Sequence, residues 1–303
     1  MLSDVVERHI ALHRATGYLF RKQSCLLRGF ARYAAFKGED VVRATTAVEW
    51  AALAPTVPTR HGRLEVVHRF ARLVRVEDPR HEIPPAGVFG GRPRRRTPFI
   101  YSPRDIDRLL KAAAALGPRR SLRPRAYATL LGLIAATGLR ISEALALRVG
   151  DITAAGLVIR ESKFRKSRLV PLHPTTRAAL HAYLRVREKH ARHDDAVFLS
   201  EWGTGMSYPT VIATFLTLVR QIGIHPGPGK PGPRIHDLRH TFAVRSLEQC
   251  AGDRRDVARH ALALSTYLGH AHVADTYWYL QATPGLLRDI ARQGETLAAR
   301  GAR

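Results

Sequence analysis

The sequence predicts a mainly α-helical protein of two domains with one small β-hairpin. Three observations carry that reading. Apolar residues recur at helical spacing through most of the chain. Residues 81–101 form an aperiodic stretch rich in Pro, Gly and Arg, which reads as a linker between residues 1–80 and residues 102–303. Strand-like runs are confined to "GLVIR" and "SRLVPL", and no alternating βαβα pattern occurs, so a parallel-sheet enzyme is not expected. A chain of 303 residues is also longer than a single core usually serves.

The first part reads as about four basic helices. "SDVVERHIALHRATG" offers Ser3 as N-cap and Gly17 as stop. "YLFRKQSCLLRGFARYAAFKG" places Leu19, Leu26, Leu27, Phe30 and Tyr33 at helical spacing and stops at Gly38. "TTAVEWAALAP" and "TRHGRLEVVHRFARLVRV" continue the pattern. The linker holds "RPRRR", which suits either a phosphate backbone or a solvated tether. The second part opens on "SPRDIDRLLKAAAALG", with Ser102 as N-cap, Pro103 at the first helical position and Asp105 in the first turn. A buried helix is expected over Arg123–Thr137, ended by Gly138. The hairpin follows, then further helices interrupted by the Gly/Pro loop "GIHPGPGKPGPR". Helix boundaries within "EQCAGDRRDVARHALALS" are not legible. The tail "TPGLLRDIARQGETLAARGAR" can form a helix from Thr283 and Pro284, with Leu286, Leu287, Ile290 and Leu297 as its apolar stripe.

Charge narrows the class. Lys+Arg number 49 against 25 Asp+Glu, a net +24, with a pI near 11.2. Both sides of Arg96 are strongly basic, so a polyanionic partner is expected, and double-stranded DNA is the natural one. An anionic membrane surface is the weaker choice, since no basic amphipathic anchor stands out. No apolar run approaches the roughly 18–20 residues of a membrane span. "MLSDVVERHIALHRATG" carries acids and no hydrophobic leader, so a cytoplasmic protein is expected. Cys25 and Cys250, without C-x-x-C spacing, suit a reducing cytosol and offer no zinc or disulfide framework. Lysine occurs only at positions 22, 37, 111, 163, 166, 189 and 230. Each lysine is therefore informative, because a proton can be given up by Lys but not by Arg.

Four separated stretches hold candidate chemistry. "ATGLRISEALALRVGDI" sets Arg140 at a turn, with Ser142 able to cap the next helix and Glu143 in its first turn. "RESKFRKSRLVPLH" puts Lys163 and Lys166 in the hairpin turn. "RIHDLRHTFAVRSL" places His236, Arg239 and His240 on one helix face. A metal reading of the two histidines lacks a third ligand and a general-base Glu, and Arg239 would repel a cation. That cationic face suits a phosphate instead. "LSTYLGHAHVADTYWYL" holds His270 and, nine residues on, Tyr279. Alone, each piece also reads blandly: a surface Arg, a solvated turn, an aromatic face in a core.

In this order and spacing the four stretches resemble the tyrosine recombinase (phage integrase) family. The family carries Arg in "ATGLR-SE", Lys in a hairpin turn, H-x-x-R on a helix, and "LGH" followed nine residues later by a nucleophilic Tyr. The motifs span about Ser102 to Leu280, and the N-terminal helices resemble the family's core-binding domain more loosely. The wording of "KFRKSRLVPLH" and "TYLGH…TYWYL" is similar to the transposon-associated branch. The resemblance implies a core-binding domain over 1–80 and a catalytic domain over 102–303. It implies a recombinase, an integrase or transposase, that cuts and rejoins DNA through a covalent 3′-phosphotyrosyl intermediate.

The implied roles follow the chemistry of phosphoryl transfer. Tyr279 would attack phosphorus and keep the ester for rejoining. Arg140 and Arg239 would clamp the non-bridging oxygens. His236 and His270 would bond the phosphate or align the phenol. Lys163 would protonate the leaving 5′-oxygen, with Lys166 as the alternative acid. Neither metal nor ATP is implied, and no other cofactor. Tyr277 stands two residues from Tyr279, roughly 200° around a helix, so both cannot face one phosphate; Tyr277, Trp278 and Tyr267 are expected to pack. Partners implied are double-stranded DNA, a homo-tetramer on paired sites with the tail docked on a neighbouring protomer, and accessory recombinases. A bacterial nucleoid location follows. The competing readings are a non-catalytic DNA-binding protein on the same scaffold and a type IB topoisomerase-like nicking-closing enzyme.

Overall fold

The computed structural model describes residues 1–90, 96–118, 120–160, 167–191, 194–224, 232–249 and 254–269. It divides into two compact units, Met1–Arg96 and Thr97–Arg303.

The first unit is a bundle of α1 (Leu2–Ala15), α2 (Arg21–Phe36), α3 (Ala44–Ala52) and α4 (Val57–Glu77). Its core gathers Leu27, Phe30, Trp50, Leu64, Val67 and Phe70, the inward positions of the helical periodicity. Helix α1 starts two residues earlier than Ser3 would cap it. The Met1 ammonium, 3.1 Å from Asp4, holds the first turn instead. Leu19 is not on the apolar stripe of α2. Phe20 takes a left-handed φ of 47° and stacks on His13 at 4.3 Å, which leaves Leu19 outside the helix and exposed. The stretch expected as a linker is folded onto a unit at each end. His81 is buried and accepts from Val42 N at 2.9 Å, and Glu82 accepts from Ala44 N at 2.8 Å. At the far end Tyr101 is buried in the second unit, its N–H donating to Thr241 Oγ1 at 3.0 Å. Residues 91–95, with most of "RPRRR", lie outside the described residues.

The second unit contains α5 (Pro103–Ala114), α6 (Arg123–Thr137), α7 (Ile141–Ala146), a one-turn 3-10 helix (Val149–Asp151), β1 (Leu157–Ile159), β2 (Arg168–Val170), α8 (Pro174–Arg187), α9 (Tyr208–Gln221), α10 (His236–Glu248) and α11 (Arg254–Leu268). Ser102 caps α5 as its sequence predicts: Ser102 Oγ accepts from Asp105 N at 3.1 Å and Ser102 N donates to Asp105 Oδ2 at 2.9 Å. Helix α6 is the hub, packing against α5, α8 and α10. That is why Tyr127, Leu130, Leu131, Leu133 and Ile134 are buried on more than one side of it. The strands pair antiparallel with Leu157 opposite Val170 and Ile159 opposite Arg168, the expected hairpin. No other named sheet occurs among the described residues. No described helix is long and apolar enough to cross a membrane.

Candidate active site

The site begins at the end of α6. Gly138 stops that helix with a left-handed φ of 64°, a conformation that costs glycine little. Space demands glycine too, because a Cβ here would stand 2.5 Å from Phe242 and 3.0 Å from Leu268. The turn is thus pressed between α10 and α11, and Arg140 follows it at the start of α7. Arg140, not Ser142, occupies the N-cap position. The capping contribution comes from Glu143, whose Oε2 accepts from Arg140 N at 3.0 Å.

Around this turn the buried charges converge. Arg140 Nη1 donates to Glu143 Oε1 at 2.7 Å, and its Nη2 donates to the Gly269 carbonyl at 3.0 Å. Arg168, from β2, meets the same carboxylate with both ends of its fork, 3.1 Å to Oε1 and 2.8 Å to Oε2. Its Nε donates to the Tyr267 carbonyl at 2.8 Å. Arg239, from α10, is 1% exposed and donates to the carbonyls of Gly138 (2.7 Å) and Leu268 (2.8 Å). Three arginines from three elements therefore hold the three successive carbonyls 267–269 at the C-terminus of α11. A helix leaves its last carbonyls without intrahelical partners and concentrates negative partial charge there, so cations belong at that pole.

Electrostatics follow from this packing. Burial alone would raise the Glu143 carboxyl; the hydrogen bonds and charge of Arg168, then those of Arg140, outweigh it and hold the pKa at about 2. His236, the first residue of α10, is pushed down to about 4, by burial first and then by the charges of Arg239 and Arg234. It is therefore a neutral imidazole at pH 7, able to donate one hydrogen bond and accept another. Its ring meets His240 edge to face, with centroids 4.7 Å apart. Tyr267 packs as expected, stacked on Phe242 at 5.7 Å, and burial raises its pKa. Among the described residues no group of three or more His, Cys, Asp or Glu is arranged to hold a metal ion.

Of the six residues singled out in the sequence, Arg140, His236 and Arg239 come together here. Lys163, His270 and Tyr279 lie outside the described residues, as do Lys166, His272, Tyr277, Trp278 and the tail helix from Thr283. In the chain, His270 directly follows Gly269, whose carbonyl Arg140 holds. Sequence reasoning passed over Glu143 as a participant and Arg168 altogether. The signal for Arg168 was strand alternation: it shares the inward face of β2 with buried Val170. An arginine on that face needs buried acceptors.

Comparison with known proteins agrees with the motifs. The model of the phage integrase family matches residues 101–285. A putative integrase/recombinase, y4rB of Sinorhizobium fredii (strain NBRC 101917 / NGR234), is 40% identical over 305 residues, covering 96% of each chain. Among solved structures, the Tn1549 transposon integrase in complex with transposon right end DNA aligns with a TM-score of 0.67 at 17% identity, covering 97% of this chain and 99% of that one. A lambda integrase tetramer bound to a Holliday junction aligns with a TM-score of 0.64 at 14% identity, covering 94% and 78%.

Proposed function

The chain belongs to the phage integrase family of tyrosine recombinases, and on that footing we propose that it is a site-specific DNA recombinase that cuts and rejoins strands through a covalent 3′-phosphotyrosyl link to Tyr279. The observation that carries this reading is that Arg140 and Arg239 hold the Gly269 and Leu268 carbonyls, directly before His270 in the chain, with neutral His236 within electrostatic range of both arginines.

In the proposed step the Tyr279 phenol gives its proton to a neighbouring imidazole, His236 or His270, its oxygen attacks the scissile phosphorus, and the bond from phosphorus to the 5′-oxygen breaks. Lys163 gives its proton to that leaving oxygen. The charge that builds on the non-bridging oxygens is met by Arg140 and Arg239. Arg140 commits one N–H of each terminal nitrogen to the protein, so the rest of its fork can take a phosphate oxygen while its position stays fixed. His236 supplies a hydrogen bond without adding charge. His270 supplies a second or aligns the phenol. Rejoining is the reverse: a 5′-hydroxyl attacks the phosphotyrosine, and the phenol leaves. Because the ester is retained, no ATP is needed, and the arginines do the work of a divalent ion. Double-stranded DNA is the partner, with four copies assembled on paired sites. The Tn1549 and lambda integrase complexes, of like fold, support that assignment of partner and assembly.

The test is a nicked suicide duplex that traps the covalent adduct, run with and without EDTA. The wild-type chain should form adduct equally in both, Tyr277→Phe should still form it, and Tyr279→Phe should not. Adduct in Tyr279→Phe would remove the nucleophile assignment, and a strict Mg²⁺ requirement would remove the metal-free mechanism.

A further inference from the structure

Arg168 binds the Glu143 carboxylate and the end of α11, yet it is only 12% exposed and cannot itself reach far into a DNA groove. All three of its nitrogens donate within the protein: two to Glu143 and one to the Tyr267 carbonyl. Glu143 is in turn filled, each of its oxygens accepting once from Arg168 and once from Arg140. The contact with α11 is close. A Cβ on Gly269, which has a left-handed φ of 66°, would stand 2.9 Å from Arg168 Nη1. One guanidinium thus ties β2, whose hairpin connection holds Lys163 in the chain, to the start of α7, which holds Arg140. It also ties both to the end of α11, which His270 follows.

We propose that Arg168, acting through Glu143, is a positioning residue for strand cleavage: it fixes the fork of Arg140 and the end of α11 so that the arginine clamp meets the phosphate already in place. The inference rests on the function proposed above. A misplacement of about 1 Å at a reacting centre can cost on the order of 100-fold in rate. Lysine is no substitute, since a single ammonium cannot span both carboxylate oxygens and the Tyr267 carbonyl as a planar fork does.

The test compares full-length wild-type, Arg168→Gln, Arg168→Lys and Glu143→Gln chains for melting, binding to a core site, and single-turnover adduct formation on a suicide duplex. Arg168→Gln should bind within about twofold of wild type and form adduct about 100-fold more slowly, the loss set by misplacement. Arg168→Lys should recover only a small part. The Arg168→Gln/Glu143→Gln double variant should be no slower than the slower single one, because both break one unit. A duplex with a methylphosphonate at the scissile position, which carries no charge there, should shrink the gap between wild type and Arg168→Gln to a few fold. If Arg168→Gln does not fold, Arg168→Met/Glu143→Gln, which leaves no buried carboxylate without its Arg168 partner, takes its place in every comparison. Adduct formed at the wild-type rate by either variant, or a defect undiminished on the methylphosphonate, would overturn the positioning role alone. Absence of adduct in the wild-type chain on DNA that it binds would overturn the function reading and this inference with it.

Discussion

His236 lies part-buried beside two arginines, and its imidazole titrates well below the usual histidine range, at about 4. Between that value and the ordinary 6.5, the unfolded chain binds a proton that the native site does not, so stability falls with pH in that window. The contribution is intact above about 6.5 and is lost, on the order of 3 kcal/mol, as pH drops toward 4. Glu143, held at about 2, acts in a lower window, intact above 4.5 and lost as pH falls through 2. Melting curves from pH 7 to 4 should therefore decline more steeply for the wild-type chain than for His236→Gln. Parallel curves would show that His236 is not held neutral. The choice of His236, Arg239 and Arg140 came from the resemblance of their motifs, in order and spacing, to those of the family. Arg168 was marked only by strand alternation, and the need for Glu143 was not legible, because a buried carboxylate that joins two arginines leaves no local pattern of its own.

On the proposed mechanism, the hairpin is the element that separates chemistry from binding. Strand pairing of Ile159 with Arg168 puts Lys163 within the connection between them in the chain. If Lys163 supplies the leaving-group proton, Lys163→Ala should bind the site normally and cleave at least 100-fold more slowly, within the range that general acids contribute. A duplex with sulfur at the 5′-bridging position has a leaving group that needs no proton, and it should restore cleavage. Rescue of Lys166→Ala in place of Lys163→Ala would move the acid three residues along. The hairpin, the capped start of α5 and the Gly138 stop were readable, since alternation, caps and glycine stops act over a few residues. The start of α7 was misplaced onto Ser142, because Glu143 satisfies the Arg140 N–H and so makes a serine cap unnecessary.

For the molecule as a whole, positive charge on both sides of Arg96 is the dominant property. Binding that neutralises six or more phosphates should weaken by about 10³ or more between 50 and 200 mM salt. A fluorescence anisotropy titration should show this slope, and a flat response would mean that the basic surface does not lie on DNA. A tail helix as the sequence predicts it would carry an apolar stripe that needs a surface to cover it. Truncation after Thr283 should leave a chain that folds and binds a single site but recombines paired sites at least tenfold more slowly, measured by product formation and by sedimentation of the paired complex. Recombination at the full-length rate would assign the stripe to the tail's own domain and take away its role in assembly.

The sequence by itself determined the class: a basic, two-part helical chain whose Arg, Lys, His and Tyr stand in the order of a recombinase. These are properties of composition, short-range periodicity and spacing, which survive without knowledge of packing. Tertiary structure decided how the site is held. Arg140 reaches a carbonyl 129 residues away, and Arg239 spans carbonyls 101 and 29 residues away. Those contacts exist because α10 and α11 pack around the turn at Gly138. Sequence spacing cannot encode them, since buried donors and acceptors are paired by whichever elements the core brings together.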